Sequence, residues 1–294
     1  MIAQILGNYF VENNLLTKGQ LQSVLKKQTG RKVRLGTIAV SEGLMTLAQA
    51  EAVNMLQQSI DKPFGDIAVY KGFLTDAQVK SLLREQGSEF ILFMQNLNDD
   101  GLMDVPAFEA ALRQFKIDTG ATTTTIEAMK AGSIDAIIDT YVGDILPDYS
   151  DHAGTGIRLV TRIVDKNAYI SKAYLSEDVS ALPSGVFQKI IRVDGSFYFS
   201  GLVDKDQGLS SVAEGFARDQ YEEDELFIID AAGEFLNCIN GLYCTTASKD
   251  NRQLEIEPQQ YLSDKNISSV ITGTKILHIP VYVGEGESEF VIIV

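Results

Sequence analysis

A 29-residue internal repeat constrains the amino-terminal part of the sequence more than any other feature. Three segments of 24 residues align with one another, and they cover residues 5–28, 34–57 and 63–86. A less regular fourth copy, residues 92–115, keeps Gly101 in register with the earlier copies. Repetition at this period is typical of supersecondary units that bury their apolar faces against one another, so we expect a repeat domain.

Each copy predicts two helices joined by a turn. The first helix should end where glycine or asparagine suits a left-handed backbone, at Asn14, Gly43, Gly72 and Gly101. The second helix should begin at a Thr-x-x-Gln capping box, in which each side chain accepts a hydrogen bond from the other residue's backbone N–H. These boxes are Thr17–Gln20, Thr46–Gln49 and Thr75–Gln78. The sequence therefore predicts an all-helical repeat domain over residues 1–118.

The repeats resemble the MshEN or GspE amino-terminal domain, in which a motif of this length recurs with five residues between copies. Some members bind cyclic di-GMP, and their motif opens Arg-Leu-Gly, since an arginine can stack on guanine or pair with phosphate. Only the second copy keeps this opening, at Arg34, while Ile5 and Pro63 stand at the other two positions. We favour a helical docking module, with cyclic di-GMP sensing as the alternative.

Composition and charge limit the classes of partner that the chain can bind. The 294-residue sequence has 25 Lys+Arg and 40 Asp+Glu, and its net charge of −15 opposes binding to nucleic acid. No apolar run reaches the ~20 residues that span a bilayer. The first residues lack the basic start of a signal peptide. We therefore expect a cytoplasmic protein that binds neither nucleic acid nor a membrane.

A change in sequence pattern divides the chain. Residues 119–129 contain a run of threonines after Gly120, which predicts a linker. Residues 130–294 then predict an α+β domain with an antiparallel sheet. Its expected elements are a helix at 134–146, a strand at 156–164, a hairpin at 185–203 turning at Asp194-Gly195, a helix at 206–220, and strands at 253–258, 275–283 and 288–294.

One long helix is predicted over residues 222–248, because acidic residues open it and the apolar residues continue at helical spacing. At about 100° per residue, Asp230, Glu234, Asn237 and Gly241 fall within an arc of roughly 60°. A separate apolar stripe is formed by Ile228, Ala232, Phe235, Ile239 and Leu242. We expect the stripe to face the sheet and the polar residues to face solvent.

The spacing Asp230-x-x-x-Glu234-x-x-Asn237, followed by Gly241, resembles the motif of the CheC/CheX/FliY family, Asp/Ser-x-x-x-Glu-x-x-Asn and a glycine. The resemblance covers residues 130–294. It implies a CheX-like phosphatase domain that hydrolyses the aspartyl phosphate of a response-regulator receiver. The catalytic residues would be Glu234, which pairs with the receiver's active-site lysine, and Asn237, which orients the attacking water. The role of Asp230 is left open.

The resemblance also implies what the chain need not supply. The receiver holds the divalent metal ion, so no cofactor of the chain's own is expected, and no covalent intermediate requires a nucleophilic Cys or Ser. The partner would be a phosphorylated receiver-domain protein. The first helix of the domain has no Glu-x-x-Asn, so one site per chain and a CheX-like homodimer are expected. A non-enzymatic signalling adaptor and a structural component related to the flagellar switch are the competing hypotheses.

A second Glu-x-x-Asn spacing occurs at Glu51 and Asn54. It has no Asp or Ser four residues upstream, and Asn54 is in register with leucines of the other repeats. We therefore interpret this pair as structural.

The cysteines and histidines are also interpreted as structural. Cys238 and Cys244 are six residues apart on the predicted helix and point in different directions, so a disulfide between them is not expected. His152 and His278 have no Cys or His at metal-ligand spacing. The sequence thus favours neither a zinc site nor a histidine triad.

Overall fold

A computed structural model describes residues 2–27, 35–41, 43–57, 59–85, 89–143 and 145–294 of the chain. It has two compact units, Met1–Ala136 and Ile137–Val294. The first is helical, and the second combines helices with an antiparallel sheet, which confirms the α+β class.

The helices of the first unit are α1 (Ile2–Glu12), α2 (Lys18–Lys26), α3 (Leu35–Ser41), α4 (Leu47–Gln57), α5 (Phe64–Tyr70), α6 (Asp76–Glu85), α7 (Glu89–Asp99), α8 (Val105–Thr119) and α9 (Thr123–Lys130). Helix α10 (Ile134–Tyr141) contains the division between the units. Two helices therefore occur in each copy of the repeat, as the sequence predicts.

The predicted turn and capping residues are confirmed. Positive φ angles of 57–69° occur at Asn14, Gly43, Gly72 and Gly101. In the three capping boxes, the threonine N–H donates to the glutamine Oε1 over 2.7–2.8 Å, and the glutamine N–H donates to the threonine Oγ1 over 3.2–3.3 Å. Each box satisfies backbone donors that the first turn of a helix leaves without a partner.

The repeats pack in two pairs. Helices α3 and α4 contact α5 and α6, and their shared core includes Val53, Ile67 and Leu82. Helix α1 contacts α7 and α8, where the ring of Phe10 lies against the rings of Phe93 and Phe108. The first copy therefore buries its core against the fourth, and the second copy against the third.

The segment expected to be a linker, residues 119–129, differs from that expectation from Thr123 onward, where α9 begins. Thr122 caps this helix by accepting from the Thr125 N–H over 3.1 Å, and Ile126 and Met129 are buried. The threonine run thus supplies a helix cap, while two apolar residues three positions apart bury one face.

The second unit is built on a sheet of strands β1 (Tyr169–Ile170), β2 (Tyr174–Ser176), β3 (Gly185–Arg192), β4 (Phe197–Asp206), β5 (Leu254–Ile256), β6 (Gln260–Leu262), β7 (Ile276–Val283) and β8 (Gly286–Ile293). Their order is β1-β7-β8-β4-β3-β5, with β2 also on β7 and β6 also on β3, and every one of these pairs is antiparallel. The hairpin predicted at Asp194-Gly195 joins β3 to β4, and Gly195 has a φ of 81°.

The α-helices of the second unit after α10 are α11 (Ser150–Leu159), α12 (Gly208–Ala217), α13 (Glu225–Lys249) and α14 (Ile267–Val270). Helix α13 packs on β3 and β4, and α12 packs on β4 and β8. Side chains alternate between the two faces of a strand, so Phe187 points away from α13 into a second core that contains Ile267. Its neighbour Gln188 points toward α13.

The strand predicted at residues 156–164 is wrong. These residues continue α11 and then form a π-helix, Val160–Val164. Helix α11 is buried against α13 and β8, and Gly156 lies so near the Phe290 ring that a Cβ would be 3.1 Å from it. Ile157, Val160 and Val164 do follow helical spacing, but the β-branched residues of the segment also suit a strand, and the prediction followed that content.

Candidate functional site

Helix α13 carries the predicted site residues. Asp224 caps it by accepting from the Phe227 N–H over 3.1 Å, and the helix is continuous to Lys249, which confirms the predicted single helix. Within its apolar stripe, Ala232, Phe235 and Ile239 are buried. The helix is thus fixed on the sheet along its length, and side chains on its other face are held at defined positions.

The acidic residues of α13 face solvent, as expected. Asp230 and Glu234 are exposed. The Glu234 Oε1 accepts a hydrogen bond from the Gln259 Nε2 over 3.2 Å, so a neighbouring loop partly orients this carboxylate. The acidic residues that precede and begin the helix, Glu222, Glu223, Asp224 and Glu225, are exposed as well. This surface favours a positively charged group on a partner.

Asn237 is half-buried and not fully exposed as the sequence suggested. Its Oδ1 accepts a hydrogen bond from the Gln188 Nε2 of strand β3 over 3.0 Å. Among the described residues, its Nδ2 has no protein acceptor. The amide is therefore anchored at one end, and its donor end is available to a water or a ligand.

A chain of buried polar side chains continues inward from Asn237. Gln188 accepts from the Asn240 Nδ2 over 2.6 Å, and its Nε2 also donates to the Glu257 backbone carbonyl over 2.9 Å. The Asn240 Oδ1 lies 2.8 Å from the His152 Nε2 and accepts from the Ser200 Oγ over 2.8 Å. We call Gln188, Asn240, Ser200, His152 and Tyr198 the buried amide network; the Tyr198 hydroxyl lies 3.2 Å from the His152 Nδ1.

The network is fully enclosed. Asn240, His152 and Ser200 are 0% exposed and Gln188 is 3% exposed. Burial lowers the pKa of His152 from 6.5 to about 4, although the hydrogen bond with Asn240 partly opposes this shift. The imidazole also stacks on the Tyr243 ring, with 4.3 Å between centroids and 5° between planes. His152 is therefore neutral near neutral pH.

The sequence did not reveal this network. The sequence marks His152 only as a structural residue without metal-ligand neighbours, whereas its ring joins α11 to α13 through Asn240. Gln188 and Ser200 are directly opposite each other on β3 and β4, so the hairpin register brings them together under α13. The one available signal was Asn240, a polar residue directly after Ile239 of the apolar stripe.

His278 also lies in a polar cluster. On the face of the sheet away from α13, its Nδ1 is 2.8 Å from the Glu289 Oε2, and its Nε2 is 2.8 Å from the Ser176 Oγ. The Tyr174 hydroxyl donates to the Glu289 Oε1 over 2.8 Å, and the Tyr174 ring stacks on the imidazole. These contacts lower the pKa of Glu289 despite its burial and join strand β2 to β7 and β8.

The other residues singled out from the sequence have ordinary surroundings. Cys238 and Cys244 are free, and burial raises the pKa of both thiols, that of Cys244 to about 11. Glu51 and Asn54 are exposed on α4. Arg34 lies outside the described residues.

Two negative findings concern the described residues alone. No group of three or more His, Cys, Asp or Glu side chains there is arranged to hold a metal ion. In the same part of the chain, no helix has the length and apolarity that crossing a bilayer requires.

Comparisons with known proteins give structural similarity only. No family model and no curated protein matches the sequence. Among solved structures, CheX from Vibrio vulnificus is 10% identical with a TM-score of 0.39, and the match covers 49% of this chain and 95% of that chain. FliY from Thermotoga maritima is 13% identical with a TM-score of 0.37, over 51% of this chain and 88% of that chain.

A third similar structure is the complex of CheX with CheY, BeF3 and Mg2+ from Borrelia burgdorferi. It is 15% identical with a TM-score of 0.39, and the match covers 49% of this chain and 94% of that chain. Sequence identities this low assign no residue roles to the present chain. The resemblance of the helical repeats to the MshEN domain stays a prediction.

Proposed function

We propose that this protein hydrolyses the aspartyl phosphate of a response-regulator receiver. The observation that carries the proposal is that two side chains with suitable chemistry lie three residues apart on one face of α13. Glu234 is an exposed carboxylate. Asn237 is an amide held by a hydrogen bond at its oxygen, and its N–H groups have no protein acceptor among the described residues. Their motif resembles that of the CheC/CheX/FliY family.

An aspartyl phosphate is a reactive acyl phosphate, so the reaction needs little from the enzyme beyond a positioned water. The water oxygen bonds to phosphorus as the bond between phosphorus and the receiver's carboxylate oxygen breaks. The products are the free carboxylate, inorganic phosphate and a proton released to solvent. Asn237 donates an N–H to the water and holds it in line, in the way that a glutamine orients water in small GTPases. The divalent metal ion that neutralises the phosphoryl group belongs to the receiver.

Glu234 acts in docking. Its carboxylate pairs with the receiver's active-site lysine, and the exposed acidic residues near it, Asp230 among them, add to the attraction. The helical repeats would serve as a docking module, and the second unit would form a CheX-like homodimer.

The test uses the phosphorylated cognate receiver and separates binding from chemistry. Asn237→Ala should lower the single-turnover rate of dephosphorylation by a factor on the order of a hundred and leave receiver affinity unchanged, because it removes an interaction made with the attacking water. Glu234→Ala should mainly weaken receiver affinity, by about fivefold, through loss of one interfacial ion pair.

The matched control is Asn54→Ala, which removes an exposed helical asparagine from the other Glu-x-x-Asn spacing. Turnover should not change. A wild-type rate in the Asn237→Ala protein would refute the phosphatase mechanism. Tight receiver binding without hydrolysis by the wild-type protein would support the adaptor instead.

A further inference from the structure

The buried amide network has a fixed hydrogen-bond direction. A backbone carbonyl only accepts, so the Gln188 side-chain atom 2.9 Å from the Glu257 carbonyl oxygen must be the amide nitrogen. This one contact assigns both ends of the Gln188 amide. Its oxygen must then face Asn240.

The same direction continues inward. Because Gln188 presents an oxygen, Asn240 must donate its Nδ2, at 2.6 Å, and present its own oxygen to His152 and Ser200. That oxygen requires a proton on the His152 Nε2. The neutral imidazole then accepts at Nδ1 from the Tyr198 hydroxyl at 3.2 Å. In each side chain of the buried amide network, therefore, only one choice of hydrogen-bond donor and acceptor atoms satisfies all of its partners.

The direction also continues outward, to Asn237. The Gln188 Nε2 has two N–H groups, and the Glu257 carbonyl takes one of them. The second points at the Asn237 side chain at 3.0 Å, where only an oxygen can accept it. Asn237 must therefore turn its carbonyl inward and its NH2 group outward.

We propose that Gln188 is the positioning residue of the site: the buried amide network holds its amide in one orientation, and Gln188 thereby turns the N–H groups of Asn237 toward the attacking water. This inference rests on the proposed phosphatase function. An outward N–H donates to one lone pair of the water and leaves the other free to attack phosphorus. An outward carbonyl would instead accept a hydrogen bond from a water O–H, so the water would be held in a different orientation.

A purely structural role for Gln188 makes a different prediction. If Gln188 only stabilised the packing of β3 against α13, its loss would lower stability and would affect turnover whether or not the Asn237 amide is present. If Gln188 acts through Asn237, its effect on turnover must vanish once the Asn237 amide is absent. A double-mutant cycle therefore separates the two roles.

The first experiment measures receiver affinity, single-turnover dephosphorylation and thermal unfolding for Gln188→Met, Asn237→Ala and the double variant. Gln188→Met keeps a similar side-chain length without the amide. We expect roughly tenfold slower turnover at unchanged receiver affinity, because the Asn237 amide is no longer held in one orientation. In the Asn237→Ala background, the same change should have no further effect. Ser288→Ala, which alters a buried hydroxyl on β8 outside the network, is the matched control and should leave turnover unchanged.

The outcomes are distinguishable. Wild-type turnover in Gln188→Met, or a tenfold loss that persists in the double variant, would overturn the positioning role while leaving the proposed function intact. A wild-type rate in Asn237→Ala would overturn the proposed function itself.

A second experiment uses the unmodified protein, in case Gln188→Met does not fold. Nitrogen-15 NMR of the histidine rings reports which nitrogen carries the proton. The network requires the Nε2–H tautomer of His152, because its partner on Asn240 must be an oxygen. An Nδ1–H tautomer would reverse the direction at Asn240 and refute the inference.

Discussion

The burial of His152 predicts a specific pH dependence of stability. Its pKa is lowered to about 4 in the folded protein, from 6.5, because the ring is fully enclosed. The unfolded chain therefore takes up a proton at a higher pH than the folded chain does. The contribution of neutral His152 to the free energy of unfolding is therefore complete above about pH 6.5. It is lost progressively as the pH falls toward about 4.

The size of the effect follows from the two pKa values. Between about pH 7 and about pH 4.5, this single group should lower the free energy of unfolding by about 2 kcal/mol. Tyr198 and Tyr243, the titratable residues that face the ring, do not contribute in this range, because burial raises the pKa of both phenols. Surface carboxylates do titrate there, so the comparison must be made against a variant.

The variant is His152→Gln, which cannot titrate and retains an amide donor for Asn240. Urea unfolding of both proteins at several pH values gives the difference in unfolding free energy. We expect the stability advantage of the wild type to shrink by about 2 kcal/mol as the pH falls. A constant difference would refute the reasoning. An NMR titration of the His152 ring in the wild type provides a direct check, and a midpoint near its ordinary value would refute it as well.

Two further predictions concern the units. Residues 131–294, which include α10, should unfold cooperatively by circular dichroism when expressed alone, because the second unit has its own sheet and core; an unfolded fragment would place the boundary elsewhere. Calorimetry should detect weak or no binding of cyclic di-GMP to the full chain, since Ile5 and Pro63 replace the motif arginine in two copies. Micromolar binding that Arg34→Ala abolishes would support the nucleotide-sensor hypothesis instead.

Features set by neighbouring residues were predictable from the sequence. The capping boxes, the left-handed residues between repeat helices and the Asp194-Gly195 turn depend on a few adjacent side chains. The face of α13 that carries Asp230 and Glu234 followed from helical spacing alone.

Features that depend on distant contacts were not predictable. The segment 156–164 suits a helix by its spacing and a strand by its β-branched content, and only the contacts of α11 with α13 and the sheet decide between the two. The network around Gln188 and Asn240 joins two strands and two helices, so no spacing along the chain marks it. The catalytic assignments of Glu234 and Asn237 came from resemblance to a family motif, and they stay predictions.

The pairing of the first repeat with the fourth bears on the order in which the amino-terminal unit assembles. In a solenoid whose repeats contact only their neighbours, folding can propagate copy by copy from either end. Here Phe10 finds its ring partners Phe93 and Phe108 only after two intervening copies have been synthesised. Those middle copies can close on each other first and shorten the loop that separates the outer two. The fourth copy is irregular in sequence, but its phenylalanines complete the core of the first copy. Deleting the fourth copy would remove the ring partners of Phe10 on α1.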